Sequence, residues 1–135
     1  MRISQKGLYA IQALIVLARR YPQGVVKIHD IAQEEHLPEK FLEAILRDLK
    51  RARFVTSVRG PSGGYQLKRD PQDIFLGDVI RKIDGPLAPF EDAESLRKRV
   101  ERDDAHRPLF RVLLEVRDAT ARILDNTTLA SLCSK

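Results

Sequence analysis

Five charged residues between positions 40 and 51 share one side of a helical repeat: Lys40, Glu43, Arg47, Lys50 and Arg51. Apolar Phe41, Leu42, Ile45, Leu46 and Leu49 take the other side. A helix with one apolar half and one narrow, mostly basic half can lie in a DNA major groove. Arg47, Lys50 and Arg51, toward its C-terminal end, can reach phosphates, while Lys40 and Glu43 can face base edges. A carboxylate repels phosphate, so Glu43 on this face suits the N4 amino group of cytosine. The plainer alternative is a solvated Glu43 paired with Arg47 one turn on, and the spacing fits both. A second cluster follows at Arg59-Gly60-Pro61-Ser62-Gly63-Gly64. Glycines let backbone N–H groups come close to a phosphate, and an arginine beside them can enter a narrow minor groove. An ordinary Gly-rich hairpin tip is again the plain alternative. The segment is not a P-loop, because no Gly-Lys-Ser/Thr follows, nor a dinucleotide fingerprint, because a strand pattern follows it.

Little else in the chain could do chemistry. The single cysteine, Cys133, excludes an internal disulfide and any Cys-built zinc or iron–sulfur site within one chain. His29 and His36 fall at opposite ends of a short helical segment, too far apart for one metal. His106 beside Asp103 and Asp104 reads as a solvated loop rather than a hard-metal site. Ser95-Leu96-Arg97-Lys98 has the form S-x-x-K without the accompanying serine and Gly-rich strand motifs. No nucleophile, base and oxyanion donors assemble, so neither enzymatic activity nor a metal or cofactor is expected.

The elements that must position these residues are legible from periodicity. Ser4 is a plausible N-cap for a helix ending near Arg20, with Leu8, Ile11, Leu14, Ile15 and Ala18 at helical spacing. A short helix over about Ile28–His36, with Ile28, Ile31 and Ala32 inward, leads through Leu37-Pro38 into the charged helix, about Glu39–Arg51. After Phe54 the period falls to about two, the Gly-rich tip intervenes, and Tyr65-Gln66-Leu67-Lys68 resumes as a strand, which makes a β-hairpin. A short helix over about Gly77–Ile83 follows. Residues 86–107 are the least structured by pattern. Pro108 then opens a long helix whose Leu109, Leu113, Val116, Thr120 and Ile123 form a heptad-like seam. Thr127 or Thr128 can cap a last short turn containing Leu129, Leu132 and Cys133.

The 135 residues, 43% of them apolar, suffice for one domain. The net charge of +5 is unevenly spread: residues 1–69 carry 13 basic and 6 acidic side chains, and residues 70–135 carry 11 and 13. A basic front of this kind suits a polyanion. The longest apolar run, Ala13 to Ala18, is far too short to span a bilayer, and no signal peptide is evident, so a cytoplasmic protein without membrane contact is expected.

Two short helices, a tight turn, a third helix and a hairpin are the layout of a winged helix-turn-helix. The expected fold is therefore mainly α with a small β-hairpin wing: DNA-binding domain 1–85, a variable loop or effector segment 86–107, and a dimerisation helix with a C-terminal turn, 108–135. Met1-Arg2-Ile3-Ser4-Gln5-Lys6-Gly7-Leu8-Tyr9-Ala10, Ile28-His29-Asp30-Ile31-Ala32, Phe41-Leu42-Glu43 and Gly77-Asp78-Val79-Ile80 resemble successive motifs of the Rrf-two family of bacterial transcription regulators. Val58-Arg59-Gly60-Pro61-Ser62-Gly63-Gly64-Tyr65 is similar to that family's wing signature and is the most specific piece. The resemblance is strong over residues 1–85 and weaker through the long helix to Asn126-Thr127-Thr128-Leu129. It implies a homodimer that binds a palindromic operator in double-stranded DNA. The protein is accordingly read as a transcriptional regulator acting as a repressor; the sequence leaves open whether its effector is a small molecule, a partner protein, thiol oxidation or none. Glu43 and Arg59 match the family's base-reading and minor-groove residues. Cluster-binding members place three cysteines before the long helix; here that segment has Glu91, Asp92, Glu94 and Asp103 and no cysteine. Carboxylates do not supply the thiolates an iron–sulfur cluster needs, so no cluster is expected. Two rivals stand beside this reading: a winged-helix protein-interaction module that does not bind DNA, and an enzyme built on residues 86–107.

Overall fold

The structure, a computed structural model, describes residues 2–133. Met1, where the N-terminal resemblance begins, and the last two residues of the 108–135 segment lie outside the described residues. Helix α1 (Gln5–Arg19) starts at Ser4, whose Oγ accepts the Gly7 N–H at 2.9 Å. Ala10, Ala13, Leu14 and Val16 are wholly buried, and α1 forms the axis around which the other front-domain elements pack. Small residues at 10 and 13 let those neighbours approach closely while Leu14 and Leu17 fill the space between them.

Helix α2 (Ile28–Glu35) ends one residue sooner than its pattern suggests. His36 adopts the left-handed conformation (φ 55°, ψ 45°), and the Leu37 N–H returns to the Ala32 carbonyl at 2.9 Å. That one residue turns the chain into α3 (Glu39–Arg51), whose bounds are those the sequence predicts. Leu42, Ile45, Leu46 and Leu49 are buried. Phe41 departs from expectation: it is 56% exposed, with its ring edge-on to Tyr9 at 6.3 Å. It lies about 100° round the helix from Leu42 and so falls at the border of the apolar stripe. Ile28 packs against the core as expected, though it is only half-buried.

The exit from α3 is a Schellman turn. Phe54 N–H donates to the Leu49 carbonyl and Arg53 N–H to that of Lys50, both at 3.0 Å, with Arg53 left-handed at φ 66°. Burial of Phe54 against the α3 face fixes the direction of strand β1 (Val55–Val58), which pairs antiparallel with β2 (Gly64–Leu67), Val55 opposite Leu67 and Val58 opposite Gly64. A contact not foreseen from the sequence ties this wing to the helices. Val26 and Tyr65 exchange backbone hydrogen bonds at 2.7 and 2.8 Å, so the residues leading into α2 act as a short third strand.

Helix α4 (Leu76–Asp84) follows a short 3-10 turn at Pro71–Asp73. The segment expected to be least structured contains a helix, α5 (Ala93–Arg102). The Asp92 side chain caps it, accepting the Ser95 N–H at 2.8 Å, and Leu96 is wholly buried where α5 packs on α6 (Arg107–Leu124). Pro108 stands in the first turn of α6, as its fixed φ favours. The chain then folds back onto α4: Leu76 N–H donates to the Thr127 carbonyl at 2.9 Å and Leu129 N–H to Ile74 at 2.8 Å. Arg81 of α4 grips Asp125 with two hydrogen bonds of 2.7 Å. Thr128 caps the terminal turn Ala130–Leu132 through its hydroxyl, which accepts the Ser131 N–H.

Candidate nucleic-acid interface

The outer face of α3 and the inner face of the wing border a groove of about 670 Å³. Glu43, Arg47 and Lys50 enter it from α3, and Arg59, Gly63 and Gly64 from the hairpin. Six of the nine residues singled out from the sequence thus meet in one place. Lys40 and Ser62 are exposed but lie off the groove wall, at the start of α3 and on the tip of the wing. Arg51, one turn beyond Arg47, lies off the groove wall and approaches Asp48 at 3.8 Å. Asp48 in turn takes a 2.5 Å ion pair from Lys6 of α1. The hydrogen bond from Lys6 holds the Asp48 carboxyl below the usual aspartate range, so this pair braces α3 against α1 behind the groove.

Sequence reasoning missed Lys27, His29 and Ser57, which also line the groove. Lys27 and His29 arrive because the Val26–Tyr65 pairing draws the start of α2 to the wing. The available signal was Lys27 itself, a cation directly before a helix start. His29 approaches Glu39 at 3.4 Å across the helix-turn-helix, and Lys50 donates to Ser57 Oγ at 2.6 Å, linking α3 to β1. The groove therefore sets Lys27, Arg47, Lys50 and Arg59 against the single carboxylate of Glu43. Among the described residues Glu43 has no ion-pair partner, and the alternative pairing with Arg47 is not formed.

The wing glycines also have a structural role that the sequence does not announce. The Gly63 N–H donates to the Gly60 carbonyl at 2.9 Å, so that amide is occupied within the turn. A Cβ on Gly63 would stand 2.1 Å from the Val58 carbonyl oxygen, and one on Gly64 would stand 2.4 Å from that of Val26. Both positions need glycine because other backbone passes directly over them.

On α6, Leu109, Val112, Val116 and Ile123 are exposed along one face, while Leu113 and Thr120 of the predicted seam are half-buried within the chain. No helix among the described residues is long and apolar enough to cross a membrane.

Over residues 3–135 the chain matches the Rrf2 family, described as iron-dependent transcriptional regulators. The HTH-type transcriptional regulator CymR of Bacillus subtilis is 38% identical over 134 residues, 99% of this chain and 91% of that protein. The HTH-type transcriptional regulator IscR of Photobacterium profundum is 34% identical over 98% of this chain and 75% of its own length. Among solved structures, that of B. subtilis CymR, titled the global cysteine regulator, superposes with a TM-score of 0.85 at 34% identity, covering 98% of this chain and 96% of that one.

The iron in the family description invites a test of the donors present. The one cysteine, Cys133, lies in the C-terminal turn, its thiol donating to the Leu129 carbonyl at 3.4 Å and pushed up in pKa by burial. Among the described residues no group of three or more His, Cys, Asp or Glu side chains is placed to hold a metal ion. His106 instead pairs with Asp103 at 3.1 Å. An iron–sulfur cluster does not fit this donor set.

Proposed function

The chain belongs to the Rrf2 family of transcriptional regulators, and from that premise we propose that it binds double-stranded DNA sequence-specifically, as a homodimer on a palindromic operator, without an iron–sulfur cluster. The observation that carries this reading is the groove between α3 and the wing, where four basic side chains surround one unpaired carboxylate. Helix α3 enters the major groove with Glu43 and Lys40 toward base edges and Arg47 and Lys50 toward phosphates. Arg59 and the wing tip with Ser62 follow the adjacent minor groove, and Arg51 serves the flanking backbone. Gly63 and Gly64 hold the wing in shape rather than bind phosphate themselves. Residues 1–85 read the DNA, the exposed face of α6 within 108–135 joins two copies, and 86–107 is the segment through which an effector acts. Occupying an operator in the cytoplasm blocks transcription, so the activity is repression and not catalysis.

The deciding experiment is selection of duplexes from a random pool by the full chain, followed by titration of the winners against unrelated DNA at two salt concentrations. An inverted repeat whose binding weakens steeply with salt is expected. Failure to enrich any sequence, with no salt-dependent binding, would leave a protein-interaction module in its place.

A further inference from the structure

A second cleft, of about 480 Å³, shares no lining residue with the wing groove and lies where the end of α4, the following loop, α5 and α6 meet. Three helices each send a guanidinium to it: Arg81 from α4, Arg97 from α5 and Arg117 from α6. Their commitments differ. Arg81 is held by Asp125, and Arg117 touches its neighbour Asp118 at 3.1 Å. Arg97 has no hydrogen-bond or ion-pair partner among the described residues.

The carboxylates at the rim do not supply the missing charge. Asp92 is turned to its own helix as the cap of Ser95, and Glu94 pairs with Lys98 at 3.3 Å. Beside Arg97 the first two N–H groups of α5, those of Ala93 and Glu94, have no acceptor among the described residues. The floor is apolar, formed by buried Leu87 and by Ala88.

We propose that this cleft binds a small organic carboxylate, its charged end held by Arg97 and Arg117 and its carbon body on the Leu87–Ala88 floor. Guanidinium matches the planar carboxylate edge. The apolar floor selects an organic body over a bare inorganic ion, and the nearby Asp92 and Glu94 disfavour a dianion. Because Arg81, which grips Asp125, borders the same space, an occupant braces α5 against the joint between α4 and α6.

The test is a titration of the isotopically labelled full chain, free of DNA, with hexanoate, neutral hexanamide and inorganic phosphate, followed by amide chemical shifts. Hexanoate is expected to give saturable shifts centred on Ala88, Ala93 and Glu94, with hexanamide and phosphate much weaker. Arg97→Gln, which breaks no hydrogen bond or ion pair among the described residues, should keep the native circular dichroism and weaken hexanoate by about tenfold. Equal response to hexanamide would remove the charge argument, and phosphate binding as tightly as hexanoate would remove the carboxylate assignment. Shifts that never saturate, or that are unmoved by Arg97→Gln, would overturn the site. With no DNA present, none of these results bears on operator binding.

Discussion

Glu43 and Lys50 stand two turns apart on one helix face, yet they should fail in opposite ways when removed. Glu43 opposes the phosphate field, so Glu43→Ala should keep or raise affinity for unrelated duplex. Discrimination at one base pair per half-site should fall by about 1–3 kcal/mol. Lys50 gives up only an exposed hydrogen bond to Ser57 when it meets a phosphate. Lys50→Ala should weaken all duplexes about equally and flatten the salt slope by about one unit. Titrating both variants against the operator, its single-base variants and unrelated duplex at two salt concentrations separates the roles; base preference lost with Lys50 and kept without Glu43 would reverse them. Gly64 tests the frame rather than the contact. Its Cβ would meet the Val26 carbonyl at 2.4 Å and the Lys27 amide at 3.0 Å, so Gly64→Ala must push Val26 and Lys27 off the wing. We expect a loss of about 1–3 kcal/mol in urea unfolding, with faster hydrogen exchange at the Val26 amide; unchanged exchange there would mean that the strand yields without separating. The same pairing explains what could be read of the site in advance. Glu43, Arg47 and Lys50 follow from helical spacing and Arg59 from the Gly-rich tip, all local signals. Lys27 and His29 reach the groove only through a backbone pairing between residues 26 and 65, which no local pattern announces.

At the scale of elements, boundaries follow local chemistry where the apolar stripe is broad and fail where it is thin. The stripe of α3 has four buried residues, and its limits are plain in the sequence. Helix α5 buries only Leu96 among ten residues, most of them charged, so its periodicity is nearly silent and the cap at Asp92 is the one available signal. The ends of α2 and α3 show the complementary case, since His36 and Arg53 take left-handed backbone without being glycine. Arg53 occupies the position where a Schellman turn prefers glycine. Arg53→Gly is therefore expected to stabilise the domain by about 1 kcal/mol, read as a higher urea midpoint, and no gain would show that the arginine side chain compensates for its backbone. The α4–α6 joint carries a pH signature. The hydrogen bonds from Arg81 hold the Asp125 carboxyl below its ordinary range, and unfolding releases it. Its contribution to stability is thus complete above the ordinary aspartate value of about 3.9 and is lost as pH falls through the lower folded value. Side-chain exposures of 33% and 39% keep the pair partly screened by water. Asp125→Asn should accordingly cost about 1 kcal/mol at neutral pH, and the difference from the parent should shrink under acid conditions. The Asp125 carboxylate also packs directly over Gly77, and a difference independent of pH would place the cost in that packing instead.

The described residues present a basic groove and an apolar stripe, which the proposed dimer would relate by symmetry. Leu109, Val112, Val116 and Ile123 are 53, 56, 45 and 62% exposed along a single face of α6. A contiguous stripe of this kind is costly to leave in water, and a second copy of the same stripe is a self-complementary cover for it. If the proposed dimer forms through α6, its two α3 helices are expected to lie about one helical turn of DNA apart, 34–36 Å, or a multiple of it. The heptad seam in the sequence shares Leu109, Val116 and Ile123 with this exposed face. Leu113 of that seam is half-buried within the chain, whereas Val112 is exposed. The sharper probe of assembly is therefore Val116→Asp at the middle of the exposed stripe. In a lone chain the new carboxylate stays in water, so folding should survive, whereas in the dimer it is buried without a partner. Association should weaken by about 3 kcal/mol or more. Light scattering at a series of concentrations should show the mass falling toward that of one chain while circular dichroism keeps its helical signal. Operator affinity should fall in parallel, because two half-sites are no longer held by one particle, while binding to a single half-site is retained. A mass unchanged by Val116→Asp would move the two-fold axis off α6, and with it the expected spacing of the half-sites.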